Sequence, residues 1–195
     1  MVTENDRDCL EKIKVLLSYL PDSCRGPLPI RETTDRADRE CPELDKIIPD
    51  RAARAYNMKA IIKSVADNGE LFELHAQWAP NIIVAFIRVM GRPAGVIANN
   101  PLSLAGVLNV NASDKAARFI RFCDAFNIPL LTFTDVPGYM PGTDQEWAGI
   151  IRHGAKLLHA YSEATVPKVT VVTRKAYGGA YIGMCCKQLG ADYVM

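Results

Sequence analysis

No block of like charges occurs anywhere in these 195 residues, and 23 basic against 22 acidic side chains leave a formal net charge of +1. Nucleic acids and anionic membranes are recognised by dense fields of one sign, so this balance gives no electrostatic ground for either partner. No apolar run approaches membrane-spanning length, and the first residues are acidic and polar where a secretory leader needs a basic and then an apolar stretch. The expectation is a soluble chain without direct membrane contact, cytoplasmic, or in the mitochondrial matrix if eukaryotic. None of the six cysteines forms a C-x-x-C pair. Buried reduced thiols therefore fit better than a disulfide framework or a zinc ribbon, and no metal is expected.

Several catalytic signatures are missing as well. There is no G-x-G-x-x-G after a strand pattern, no Walker A loop, no H-E-x-x-H and no G-x-S-x-G. Dinucleotide chemistry, P-loop phosphoryl transfer, zinc proteolysis and serine hydrolysis have no support. The three histidines, His75, His153 and His159, are not paired with other ligand types at metal spacing, and the last two read as packed or solvated on a helix face.

The polar and apolar patterns that are present order the chain. Leu10, Ile13, Leu16, Leu17 and Leu20 recur at helical spacing up to Pro21. Prolines at 21, 27, 29, 42 and 49 then predict an extended arm lying on a surface rather than building a core. A division follows into a connector helix and arm at 1–50 and a partial domain at 51–195. A short helix over 57–67 precedes three strands, 71–74, 82–89 and 94–98, read as an antiparallel meander. From there strand and helix alternate, which favours a parallel α/β layer. Ser113 is placed to cap a helix over 114–126; 130–136 is a buried strand; Thr143 and Glu146 have capping-box spacing for one helix over about 144–163, with Trp147, Ile150, Ile151, Leu157, Leu158 and Tyr161 inward. A strand over 169–173 leads to a last helix ending near Gly190, with Cys185 and Cys186 inside it, and 192–195 begins another strand.

Two loops carry chemical promise. Tyr177–Ala180 is a tight strand-to-helix turn, and no Ser, Thr, Asp or Asn stands there to cap the helix. Gly178 and Gly179 serve a cramped turn or close packing; equally, they let a ligand oxygen approach the N–H groups of Gly179 and Ala180, as in an oxyanion hole. The loop of Pro137, Gly138 and Tyr139 ends a strand; it is a plain turn or a pocket wall at the strand's carboxyl end. Both loops follow successive strands and are expected to share one crevice.

The runs Asn111–Phe119, Asp135–Thr143, Gly149–Lys156 and Thr165–Tyr181 carry a resemblance over nearly the whole chain. It resembles the carboxyltransferase (β) subunits of propionyl-CoA and acetyl-CoA carboxylases, and equally those of methylmalonyl-CoA decarboxylase and transcarboxylase. The resemblance implies an α/β, crotonase-like (ClpP/crotonase) ββα superhelix, incomplete here and preceded by a helix and an extended arm. It implies transfer of a carboxyl group from carboxybiotin, borne on a separate carrier, to the α-carbon of an acyl-CoA, the released biotin nitrogen taking the α-proton. Gly179 and Ala180 would give N–H groups to the biotin ureido oxygen. Tyr177, Gly178 and the loop of Pro137, Gly138 and Tyr139 would shape the biotin pocket, and Ile182 would influence the acyl chain accepted. Implied partners are further copies in a homo-oligomer, a dimer of halves or a hexamer, with biotin carrier and biotin carboxylase subunits. Read as a C-terminal-half fragment without the CoA-binding half, the chain alone is expected to be inactive.

Overall fold

The computed structural model describes residues 2–51 and 53–195. Six strands form one mixed sheet in sequential order: β1 (Phe72–Leu74), β2 (Ile82–Val89), β3 (Arg92–Asn99), β4 (Leu130–Val136), β5 (Lys168–Ala176) and β6 (Tyr193–Val194). The first three pair antiparallel, as a meander; β3 to β6 pair parallel. The antiparallel expectation for the meander and the parallel one for the second half both hold. β2 is buried along almost its whole length because both faces of the sheet are covered, which is why its sequence is a continuous apolar run rather than an alternation.

On one face Val84, Phe86 and Ile97 pack with α4 (Val110–Ala125) and α6 (Ile150–Glu163), through Ala116, Ile120, Leu157 and Tyr161. On the other, Ile83, Ala85, Val96 and Phe133 pack with Met58, Ile61 and Ile62 of α3 (Met58–Val65). The arm does more than run along this surface. It contains a helical turn, α2 (Leu44–Ile47), and Leu44, Ile47 and Ile48 pack against the second core. Three of its few bulky apolar residues fall in the proline-free stretch 43–48, where a helical turn can form, and this reconciles the extended reading with the observed packing. The opening helix, α1 (Asp6–Leu17), buries no residue of its own, and its clamp to the sheet comes from Tyr19 just beyond it.

Four features of the helices differ from expectation. Asn109, not Ser113, caps α4: its side chain accepts from the Ala112 N–H, while Ser113 sits one turn inside and its hydroxyl donates back to the Asn109 carbonyl. The capping box at Thr143 does not form; Gly142 precedes α5 (Thr143–Trp147) without a side-chain cap. The long helix is broken at Gly149, whose φ of 85° is left-handed, so that Trp147 falls in α5 and out of phase with α6; Trp147 and Ile151, placed inward by period, are 86 % and 82 % exposed. At the end of the chain α7 (Gly178–Gly183) is short, and Cys185, with φ of 61°, lies beyond it rather than inside a helix reaching 190.

Candidate functional site

The carboxyl ends of β4 and β5 are held together by a buried ion pair. Asp135 is 0 % exposed and accepts from Nε and Nη2 of Arg174 at 3.2 and 2.9 Å and from the Lys175 N–H at 3.1 Å. Asn99 Oδ1 in turn accepts the Asp135 N–H. Along this ladder Thr134 pairs with Val172 but Val136 pairs with Ala176, so β5 spends four residues where β4 spends two. The surplus is a bulge that bends two cationic residues around one carboxylate. Arg174 also lies over the Tyr56 ring at 4.9 Å and donates to the Arg54 carbonyl. Burial pushes the Tyr56 phenol up, and its hydroxyl is bonded to Thr173. The bulge is thus fixed from the sheet and from the segment just past the arm.

It delivers the chain to Tyr177, whose N–H donates to the Val136 carbonyl at 3.3 Å, and then to α7. Gly178 has φ of 56°, which only glycine takes without strain. α7 has no side-chain cap, and among the described residues no acceptor takes the N–H groups of Gly178, Gly179 or Ala180. A Cβ built on Gly138, Gly178 or Gly179 meets nothing within 4 Å. Three donors are therefore unclaimed, and the open faces of Gly178 and Gly179 leave room for an anionic oxygen to reach the backbone. Tyr177, Gly178, Gly179 and Ile182 are exposed, whereas Ala180 is 1 % exposed and turns its methyl into the core.

The two loops meet. Leu108 pairs with Tyr139 in an isolated bridge, with Leu108 N–H to Gly138 carbonyl at 3.1 Å and Met140 N–H to Leu108 carbonyl at 2.8 Å. Pro137 and Gly138 are half-buried beside the turn. The Tyr139 ring lies inside, against Gly154 of α6 and Gly183 of α7. Burial raises its phenol to about 12, and the hydroxyl has no hydrogen-bond partner. A cavity of 640 Å³ is lined by Asp45, Ile48, Arg54 and Tyr56 among others, and by no residue of the turn. The size of a hollow is a weaker guide here than the free donors.

No serine, cysteine or histidine nucleophile approaches the turn. His153 is packed, its Nδ1 sharing a 2.8 Å bond with Asp114 across α4 and α6. Among the described residues no group of three or more His, Cys, Asp or Glu could hold a metal, and no helix is long and apolar enough to cross a membrane. What remains is a site of backbone donors at the carboxyl ends of two parallel strands, suited to stabilising an oxygen that gains negative charge.

The Carboxyl transferase domain family matches residues 1–195. The chain belongs to this family. The carboxyl transferase chain is 57 % identical over 189 residues to the mitochondrial propionyl-CoA carboxylase beta chain of Homo sapiens, covering 97 % of this chain and 35 % of that protein. It is 54 % identical over 191 residues to the methylmalonyl-CoA decarboxylase subunit alpha of Veillonella parvula, covering 98 % and 38 %. Its fold superposes on transcarboxylase 12S with a TM-score of 0.97 at 47 % identity, over 100 % of this chain and 38 % of that one. The chain therefore spans less than two fifths of the length of these relatives.

Asp135, Arg174 and the Tyr139 contacts were not picked out from sequence. An Asp closing one strand and an Arg-Lys pair closing the next was a visible signal for the first; nothing local announced the second.

Proposed function

We propose that this chain is the biotin-facing part of a biotin-dependent carboxyltransferase, moving a carboxyl group between carboxybiotin and the α-carbon of a short acyl-CoA, propionyl-CoA or acetyl-CoA. The observation that carries the reading is the uncapped turn at Gly178–Ala180, with three unclaimed N–H groups, in a chain of the carboxyl transferase family. The donor set fits the ureido group, because the open faces of Gly138, Gly178 and Gly179 leave room for a planar ring against the backbone. Carboxybiotin, when bound, supplies the carboxyl group. The N–H groups of Gly179 and Ala180 hold the oxygen on which negative charge gathers, and preorganised donors of this kind are worth about 2.7–4 kcal/mol each. Tyr177, Gly178, Pro137 and Gly138 shape the surrounding wall, and Ile182, exposed and apolar beside the turn, faces the acyl chain.

The mixed sheet flanked by helices supports a crotonase-like superhelix, with residues 1–50 as connector and 51–195 as a partial carboxyltransferase domain. The hexamer assembly named for transcarboxylase 12S supports a homo-oligomer, served by biotin carrier and biotin carboxylase subunits. The mitochondrial human relative supports the matrix as the eukaryotic compartment, and the cytoplasm otherwise.

The test is Gly179→Val in the assembled enzyme, assayed for carboxyl transfer between an acyl-CoA and free biotin. The side chain enters open space, so the unfolding midpoint holds while transfer falls by about a hundredfold or more. Transfer at the parent rate would remove Gly179 from the site. Identities of 54 and 57 % keep methylmalonyl-CoA decarboxylation or transcarboxylation as a second reading, separated by comparing kcat/KM for propionyl-CoA, acetyl-CoA and methylmalonyl-CoA. An assembly module without turnover is the third. Size exclusion and activity with a complementary N-terminal half decide it, since a mere binding fragment gains mass but no activity.

A further inference from the structure

Tyr139 is pinned at both ends and loaded in the middle. The Leu108 bridge fixes its backbone on either side. Its side chain passes between two helices at positions where both have glycine. A Cβ on Gly154 would lie 3.1, 3.2 and 3.3 Å from Cε1, Cζ and the hydroxyl oxygen, and a Cβ on Gly183 would lie 2.6 Å from the hydroxyl but 3.4 Å from Cζ. The ring therefore bears on α6, and the hydroxyl alone bears on α7. That hydroxyl is buried and makes no hydrogen bond, a state which costs free energy in a folded chain and calls for an explanation other than bonding.

We infer that Tyr139 is the positioning residue of the donor turn: its hydroxyl acts as a spacer against Gly183 and sets how far α7, and so the N–H groups of Gly179 and Ala180, stands from α6. The inference rests on the reading of those two residues as donors. α7 has only six residues, so a displacement at Gly183 reaches its first turn within the same rigid piece. Misplacement of preorganised groups by a fraction of an ångström weakens transition-state contacts more than ground-state ones.

The geometry makes an asymmetric rescue the test. In the assembled enzyme, Gly183→Ala drives a methyl into the hydroxyl and lowers kcat by about tenfold, with KM for the acyl-CoA unchanged. Tyr139→Phe leaves a gap at the same contact and lowers kcat by about threefold, with faster amide exchange at Tyr181 and Met184, whose N–H groups donate to the Tyr177 and Ala180 carbonyls within α7. The double variant restores ordinary contact at 3.4 Å and returns both readouts to near the parent. Gly154→Ala is the control: its clash is with ring carbons, so Tyr139→Phe does not rescue it. Exchange reads the spacer independently of turnover. If Tyr139→Phe exchanges like the parent, or fails to rescue Gly183→Ala, the spacer is refuted. If exchange is rescued while activity never changes, the spacer stands and the donor reading is wrong.

Discussion

Gly179 and Ala180 are adjacent in sequence and opposite in environment, and that difference decides how the site is probed. A bulky side chain at Ala180 enters a packed core and displaces neighbours, at a cost of about 1–3 kcal/mol. Ala180→Leu therefore loses stability and activity together, and a urea titration will show the shift in midpoint. Gly179→Val, by contrast, loses activity alone. Among the described residues Asp135 is the only carboxylate bonded to Arg174, whose side chain is 13 % exposed. Asp135→Asn leaves a largely buried guanidinium without its countercharge, which costs about 3–5 kcal/mol. Denaturant unfolding of the variant checks this. A loss under about 1 kcal/mol would show that water reaches the pair and screens it as at a surface.

Elements were legible where period and length agreed, and obscure where a single backbone torsion decided. The 82–89 and 130–136 strands match expectation to the residue, because a buried strand between turn signals has few alternatives. The helix over 144–163 did not, because a glycine inside a helical pattern is tolerated as often as it breaks one, and Gly149 broke it. Trp147 was misplaced for that reason, whereas Ile151 lies on α6 itself, one residue past the buried Ile150 and on the outer side of that helix. The candidate site followed the same division: the free donors of Gly179 and Ala180 and the meeting of the two loops could be read ahead, while the Asp135 bulge and the Tyr139 spacer needed residues brought together from distant positions, Asp135 with Arg174 and Tyr139 with Gly154 and Gly183. α4 supplies a further case in Lys115, which reads as a surface residue yet is buried, with Nζ donating to the carbonyls of His75, Trp78, Ala79 and Ile82. Burial brings its ammonium down to about 8 from an ordinary 10.5, Glu73 offsetting part of the effect. Between those two values the unfolded chain binds the extra proton, so this residue makes stability rise with pH across that window. The rise should vanish in Lys115→Met, whose midpoint against pH is the measurement; an unchanged slope would assign it to another group.

The molecule as a whole depends on how the first fifty residues stay on the sheet, since α1 buries nothing itself. Several contacts hold them, Arg31 to Glu70, Arg39 to the Ser64 carbonyl and Asn127 to the Cys24 carbonyl among them, and the most heavily shared lies at Arg88 of β2. Its Nη1 donates to the carbonyls of Pro29 and Gly91 at 3.0 and 3.1 Å, its Nη2 donates to Ser18, and its guanidinium lies 4.8 Å over the Tyr19 ring. Tyr19 in turn stacks on Phe72 and Phe86, so one cation ties the end of α1, the start of the arm and the sheet edge together. Carbonyl oxygens replace the carboxylate that a buried arginine usually finds, and burial pulls its pKa below the ordinary value. Arg88→Met keeps the apolar stem but leaves the Ser18 and Pro29 carbonyls without a donor, the Gly91 carbonyl keeping the Arg31 N–H, while both sheet faces retain their cores. The expected outcome is local release: limited proteolysis cuts within 18–50 about tenfold faster, and the remainder of the chain resists as before. Arg88→Lys keeps the charge without the planar fork, so it should cut at an intermediate rate. If Arg88→Met is cut no faster than the parent, the arm is held by the packing of Leu44, Ile47 and Ile48 on the second core, and the clamp is incidental.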